Sequence, residues 1–191
     1  MSGISSLKVL ADSQLEHVLL ALRSGDRAFN VRDVLDPWWC FERGQPFVAR
    51  RRDGGRAAIQ FNKPCAWELR DILPHFDWMS DGAKVLMEMG EAARIEDRKS
   101  HPKELSLVVD HSVPLAHICN ALWADRGSWR LENLRDFLGR CFRRAVITYD
   151  ENRRLDTFGL RSKMPRGWRL DDDPFARYRE AHIVGAPKEG R

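Results

Sequence analysis

The stretch LVVDHSVPL sets Asp110 and His111 side by side at the end of an apolar run, just before a Val-Pro step. An imidazole titrates near neutrality and can take a proton from water or a hydroxyl, so a histidine beside a carboxylate has the makings of a general base with an anionic neighbour. The chain has six histidines, His17, His75, His101, His111, His117 and His182, and only His111 has an adjacent carboxylate at the end of an apolar run. The same pair also reads structurally. An aspartate that ends a strand can cap the next helix, here through the Val113-Pro114 turn, with His111 hydrogen-bonded beside it. Other chemistries lack their motifs: there is no G-x-x-x-x-G-K-[ST], no G-x-G-x-x-G and no H-E-x-x-H, and Ser112 lacks the G-x-S-x-G elbow. ATPase, dehydrogenase, zincin and α/β-hydrolase classes are therefore disfavoured.

Cationic residues form the second chemical signal. Lys and Arg exceed Asp and Glu by 32 to 28 in 191 residues, a formal charge of +4. Residues 130–169 alone hold eleven Lys or Arg against five Asp or Glu, so the positive charge is concentrated, as a nucleic-acid footprint is. Its candidate backbone contacts are Arg140, Arg143, Arg144, Arg161, Lys163 and Arg166. A second group, Arg50, Arg51, Arg52 and Arg56, surrounds Asp53-Gly54-Gly55, whose glycines suit a tight hairpin turn. Such a hairpin can lie along a phosphate backbone, each Arg displacing condensed counterions; the same charges also protect a strand edge from aggregation.

The elements that must position these residues follow from periodicity. Leu15, Val18, Leu19 and Leu22 form a helical stripe over residues 12–24, with Asp12 or Ser13 as cap and Gly25 as stop. NVRDVLDPWW predicts a short helix closed by Pro37, with Trp38-Trp39 as a packed corner. CAWELRDILPHF and DGAKVLMEMGEAARIEDR predict amphipathic helices, and KSHPKE a polar connector, so a subdomain boundary is expected near residues 98–104. LSLVVDH predicts a buried strand leading into the helix PLAHICNALW, with Pro114 in its first turn. RLENLRDFLGRCFRRA predicts a helix that packs through Leu131, Leu134, Leu138, Cys141 and Ala145. AVIT predicts a strand, and Thr148-x-x-Glu151 a capping box for a helix closed by Gly159. A short helix is expected to start at Asp173-Pro174. The order implies one compact, helix-rich α+β domain, with mixed α/β as the alternative, carrying a basic hairpin and short strands. Four cysteines without C-x-x-C, no signal-peptide pattern and no run of ~18 apolar residues imply reduced thiols, a cytoplasmic location and no membrane partner.

On residues 107–144 the chain resembles the HNH, or ββα-metal, nucleases, whose first strand ends in Asp-His, often within a D-H-[IV]-x-P-like stretch; DHSVP is similar. The resemblance implies Asp110 as ligand to Mg²⁺ or Mn²⁺ and His111 as the base that activates water for attack on phosphorus. LENL would then supply Asn133, which orients His111. The sequence departs from the family at Phe142, where a metal-binding histidine is expected, and at PLAHICNALW, which reads as helix where the family has a hairpin. A second ligand would have to come from His117, Asp136, Asp150 or the substrate. Two function classes follow: a nucleic-acid-binding protein with metal-dependent endonuclease activity, or a non-catalytic DNA- or RNA-binding or complex-forming accessory protein of phage or mobile-element type.

Overall fold

The computed structural model describes residues 2–44, 76–89, 93–94 and 105–187. Among these are seven helices and five strands: α1 Ser2–Ser24, α2 Arg32–Glu42, β1 Trp78–Ser80, α3 Asp81–Glu88, β2 Ala93–Arg94, β3 Ser106–His111, α4 Leu115–Ala124, α5 Leu131–Cys141, β4 Arg144–Thr148, α6 Tyr149–Thr157, α7 Ala176–Glu180 and β5 Gly185–Pro187. The fold is α+β. Its chain contacts separate into a helical unit, Met1–Trp67 with Cys119–Leu138, and a sheet unit, Glu68–Ile118 with Gly139–Arg191. The boundary expected near 98–104 and the hairpin carrying Arg50, Arg51, Arg52 and Arg56 lie outside the described residues, as do the helix CAWELRDILPHF and the connector KSHPKE.

In the helical unit, the stripe Leu15, Val18, Leu19 and Leu22 is buried as its spacing requires. The helix begins ten residues before Asp12, so Asp12 is no cap; its carboxylate pairs instead with Arg135, which also meets Glu42 at 3.4 Å. Pro37 lies inside α2 rather than closing it. An interior proline costs about 3 kcal/mol, but burying Trp38 and Trp39 removes enough apolar surface to contribute roughly 5 kcal/mol each, so packing outweighs the break.

The sheet unit is built on a mixed sheet of order β2-β3-β4-β1-β5. β3 pairs antiparallel with β4, setting Asp110 opposite Ala145 and His111 opposite Arg144, while β4 runs parallel to β1. Helices follow both parallel strands at once, α3 capped by Ser80 and α6 by Thr148. The expected capping box forms: the Glu151 amide donates to Thr148 Oγ1 at 3.1 Å, and Glu151 Oε2 accepts from the Thr148 amide at 2.8 Å. The same carboxylate accepts from the Ser80 hydroxyl, so one glutamate ties two helix starts together. Gly82 makes the approach possible, since a Cβ there would sit 2.8 Å from Glu151 Oε1. The helix expected over residues 81–98 stops at Glu88, and Ala93–Arg94 form a strand instead, because the edge of β3 offers backbone partners. The last expected helix begins at Ala176, after Asp173 Oδ1 accepts the Phe175 amide at 3.1 Å. Ala145, placed by periodicity on the helix of LENL, belongs to β4.

Trp78, Ile147, Leu155, Leu160, Tyr178 and Ile183 form the core on one side of this sheet. The Trp78 and Tyr178 rings stack at 4.9 Å, which anchors α7 beside the strand end bearing Asp110.

Candidate functional site

Asp110 lies one residue before the end of β3 and faces α7, and both oxygens of its carboxylate accept hydrogen bonds. Oδ1 accepts the His111 amide at 2.9 Å; Oδ2 accepts the Tyr178 hydroxyl at 3.0 Å and an Nη2 hydrogen of Arg177. Arg177 is 1% exposed. Its Nη2 also donates to the His111 carbonyl, and its Nη1 donates to the Leu160 and Arg161 carbonyls at 2.9 and 2.8 Å. A buried guanidinium persists when its donors find matched acceptors, and here one carboxylate and three carbonyls supply them for the four hydrogens of Nη1 and Nη2. Burial pushes the Tyr178 hydroxyl well above the ordinary tyrosine value, and the Asp110 charge pushes it further, so Tyr178 remains a donor. This arrangement is a brace: one arginine joins the end of β3 to the loop that follows α6. Neither Arg177 nor Tyr178 was singled out by the sequence, since their partner lies 67 and 68 residues away along the chain.

His111 packs its ring against Phe142, edge-on, with centroids 5.1 Å apart. Phe142 is buried and lies 5.5 Å from the Arg144 guanidinium. Asn133 sits in the helical unit, where its Oδ1 accepts the Arg130 amide at 2.7 Å and its Nδ2 donates to the Ser128 carbonyl at 3.3 Å, the returning half of a helix cap. Of the three residues linked by the nuclease resemblance, the fold brings Asp110 and His111 together and engages the Asn133 amide in its own turn. His117 lies edge-on to Trp168, while Asp136 and Asp150 are exposed on α5 and α6. Among the described residues no group of three or more His, Cys, Asp or Glu could hold a metal ion. As arranged, Asp110 is a poor site for Mg²⁺ or Mn²⁺: both of its oxygens already accept N–H or O–H donors, the buried Arg177 guanidinium stands beside it, and no second carboxylate or histidine completes a ligand set among the described residues.

The cationic residues divide into two groups. Arg143 Nη1 donates to Asp77 Oδ1 at 3.0 Å, and the amide of the buried Arg144 donates to Asp77 Oδ2 at 2.8 Å. Arg140 faces Asp171 at 3.3 Å. Arg140 and Arg143 border a cavity of about 410 Å³ whose walls also include Asp77 and Asp171, so both of these arginines are compensated there. Residues 153–169 differ. Arg153, Arg154, Arg161, Lys163, Arg166 and Arg169 are all exposed, and the only acidic residue among them, Asp156, pairs with Arg161 at 3.0 Å. Below that surface the loop is held by Arg177, by buried Leu160 and Met164, and by Trp168 Nε1, which donates to the Asp173 carbonyl at 2.9 Å.

Cys40 and Cys141 are buried and Cys119 is half-buried. Burial pushes the Cys141 thiol up to about 11. No helix among the described residues is long and apolar enough to cross a membrane. Comparison of the chain with family models, with curated proteins and with solved structures finds no match. Fold and site together define an α+β protein in which a buried arginine brace fastens an exposed cationic loop.

Proposed function

We propose that this protein binds nucleic acid without cleaving it, through the cationic surface of residues 153–169, and that Asp110 and Arg177 serve to hold that surface in shape. The supporting observation is the combination of six exposed cations with a loop fastened from beneath by a buried guanidinium. Cations on a preorganised loop can meet phosphates without first paying to order the chain. Each phosphate neutralised releases a counterion, which drives association. Of the neighbouring aspartates, Asp171 faces Arg140 and Asp173 pairs with Arg179, so their charges are offset, whereas Asp172, which accepts the Arg169 amide at 2.6 Å, keeps its charge and is outnumbered by the six cations.

The test is a salt titration of fluorescent oligonucleotide binding by the purified protein, with cleavage followed in parallel in Mg²⁺ or Mn²⁺. Affinity is expected to fall with a log–log slope of about −3 to −5, the oligonucleotide staying intact. Salt-independent binding, or none, overturns the proposal. Metal-dependent cleavage that His111→Ala abolishes overturns it in favour of an HNH-like nuclease.

A further inference from the structure

We propose that the groove between Phe158 and His182 takes an unpaired nucleobase, so that the ligand of the cationic loop is single-stranded nucleic acid; this rests on reading the loop as a nucleic-acid surface. Phe158 follows α6 between Arg154 and Arg161 and is 45% exposed, unusual for a phenylalanine. Its ring meets the His182 ring edge-on, with centroids 5.5 Å apart. Together with Pro165, Ala176, Arg179 and Glu180 they line an open groove of about 440 Å³. Arg179 is already paired with Asp173, and Glu180 is the one acidic residue of the lining, so the groove suits a ligand with little net charge. Arg161, Lys163 and Arg166, on the loop that contributes Pro165, supply charge for the phosphates on either side. An aromatic face among backbone-binding cations is the arrangement that holds unpaired bases, because every base offers a π-face while a duplex keeps its bases stacked inside.

The end of α7 points the same way. Three helices end at a glycine with positive φ: Gly25 after α1, Gly44 after α2 and Gly159 after α6. α7 closes in the same manner, with the Ile183 amide donating to the Tyr178 carbonyl at 2.8 Å and the His182 amide to the Arg179 carbonyl at 2.9 Å. The residue at the left-handed position is nevertheless His182, φ 54°, the only non-glycine with positive φ among the described residues. Glycine would adopt that conformation without strain, and histidine in its place sets an imidazole against Phe158. The backbone is held there by Arg154, whose Nη1 donates to the His182 carbonyl at 3.0 Å.

The experiment compares fluorescence-anisotropy titrations of a twelve-nucleotide oligo(dT) strand and a twelve-base-pair duplex against wild type, Phe158→Ala, Phe158→Trp and His182→Gly. Phe158→Ala is expected to weaken single-strand binding about 10-fold and duplex binding less than about 2-fold, with Phe158→Trp restoring the single-strand value. His182→Gly is expected to weaken single-strand binding about 3-fold while raising the melting temperature by about 2 °C, since it relieves strain and removes a contact. If wild type binds both ligands and Phe158→Ala changes neither, or both equally, the groove proposal falls and the cationic surface stands. If wild type binds neither ligand, both fall.

Discussion

Arg177 on α7 and the cations of residues 153–169, on α6 and the loop after it, meet opposite environments. Arg177 is buried against four oxygen acceptors, whereas every Lys and Arg between 153 and 169 is exposed with a single aspartate among them. A guanidinium removed from water loses several kcal/mol of hydration and survives only where geometry supplies acceptors in its plane. The same group at the surface carries no such penalty and keeps its donors available to phosphates. One arginine therefore builds the loop, and its neighbours are left to use it.

The largest effect should come from removing the brace. Arg177→Ala leaves the Asp110 carboxylate beside Tyr178 without a cation and strands the Leu160 and Arg161 carbonyls, which should lower the unfolding free energy by about 3–5 kcal/mol. Urea denaturation measures it, and a loss below about 1 kcal/mol would mean that the contacts around Asp110 are incidental. The converse change, Lys163→Glu with Arg166→Glu, should leave stability within about 0.5 kcal/mol while reducing oligonucleotide affinity about 10-fold at low salt and the magnitude of the log–log slope by about 2. A stability loss as large as that of Arg177→Ala would erase the distinction between the two groups. The smallest effect concerns pH and the buried groups Cys141 and Tyr178. A thiol or phenol whose folded pKa is raised keeps its full contribution below the unfolded pKa and loses it as pH rises towards the folded one. Cys141, raised from 9.0 to about 11, should thus lose stability from pH 9 upward, by about 1 kcal/mol at pH 10, and Tyr178 should add to the loss above pH 10. Thermal melts of wild type and Cys141→Ala across that range check it; parallel curves would show that the thiol contributes nothing.

Much of the fold was legible locally. The stripe Leu15, Val18, Leu19 and Leu22, the strand ending in Asp110-His111, the helix after Pro114, the Thr148-Glu151 capping box and the stop at Gly159 depend on contacts within a turn or two, so their signals are written in neighbouring residues. Elements that tertiary packing overrode were misjudged: Pro37 inside α2, Asp12 within α1, and Ala93–Arg94 drawn to a strand edge.

The candidate site was legible only in part. Asp110 and His111 stood out because they are adjacent, and residues 130–169 because their charge is dense. Sequence by itself determined those two facts, along with the helices and strands that carry them. It could not separate Arg144, buried beside Phe142, from Arg166, exposed on the loop, because the two have identical side chains and an arginine's fate depends on whether acceptors from distant segments reach it. Only the tertiary structure brought Arg177 to Asp110 across 67 residues, filled the place beside His111 with Phe142, and set the His182 ring against Phe158. Local propensity acts over a few residues, whereas matching a buried charge to its acceptors requires the folded chain.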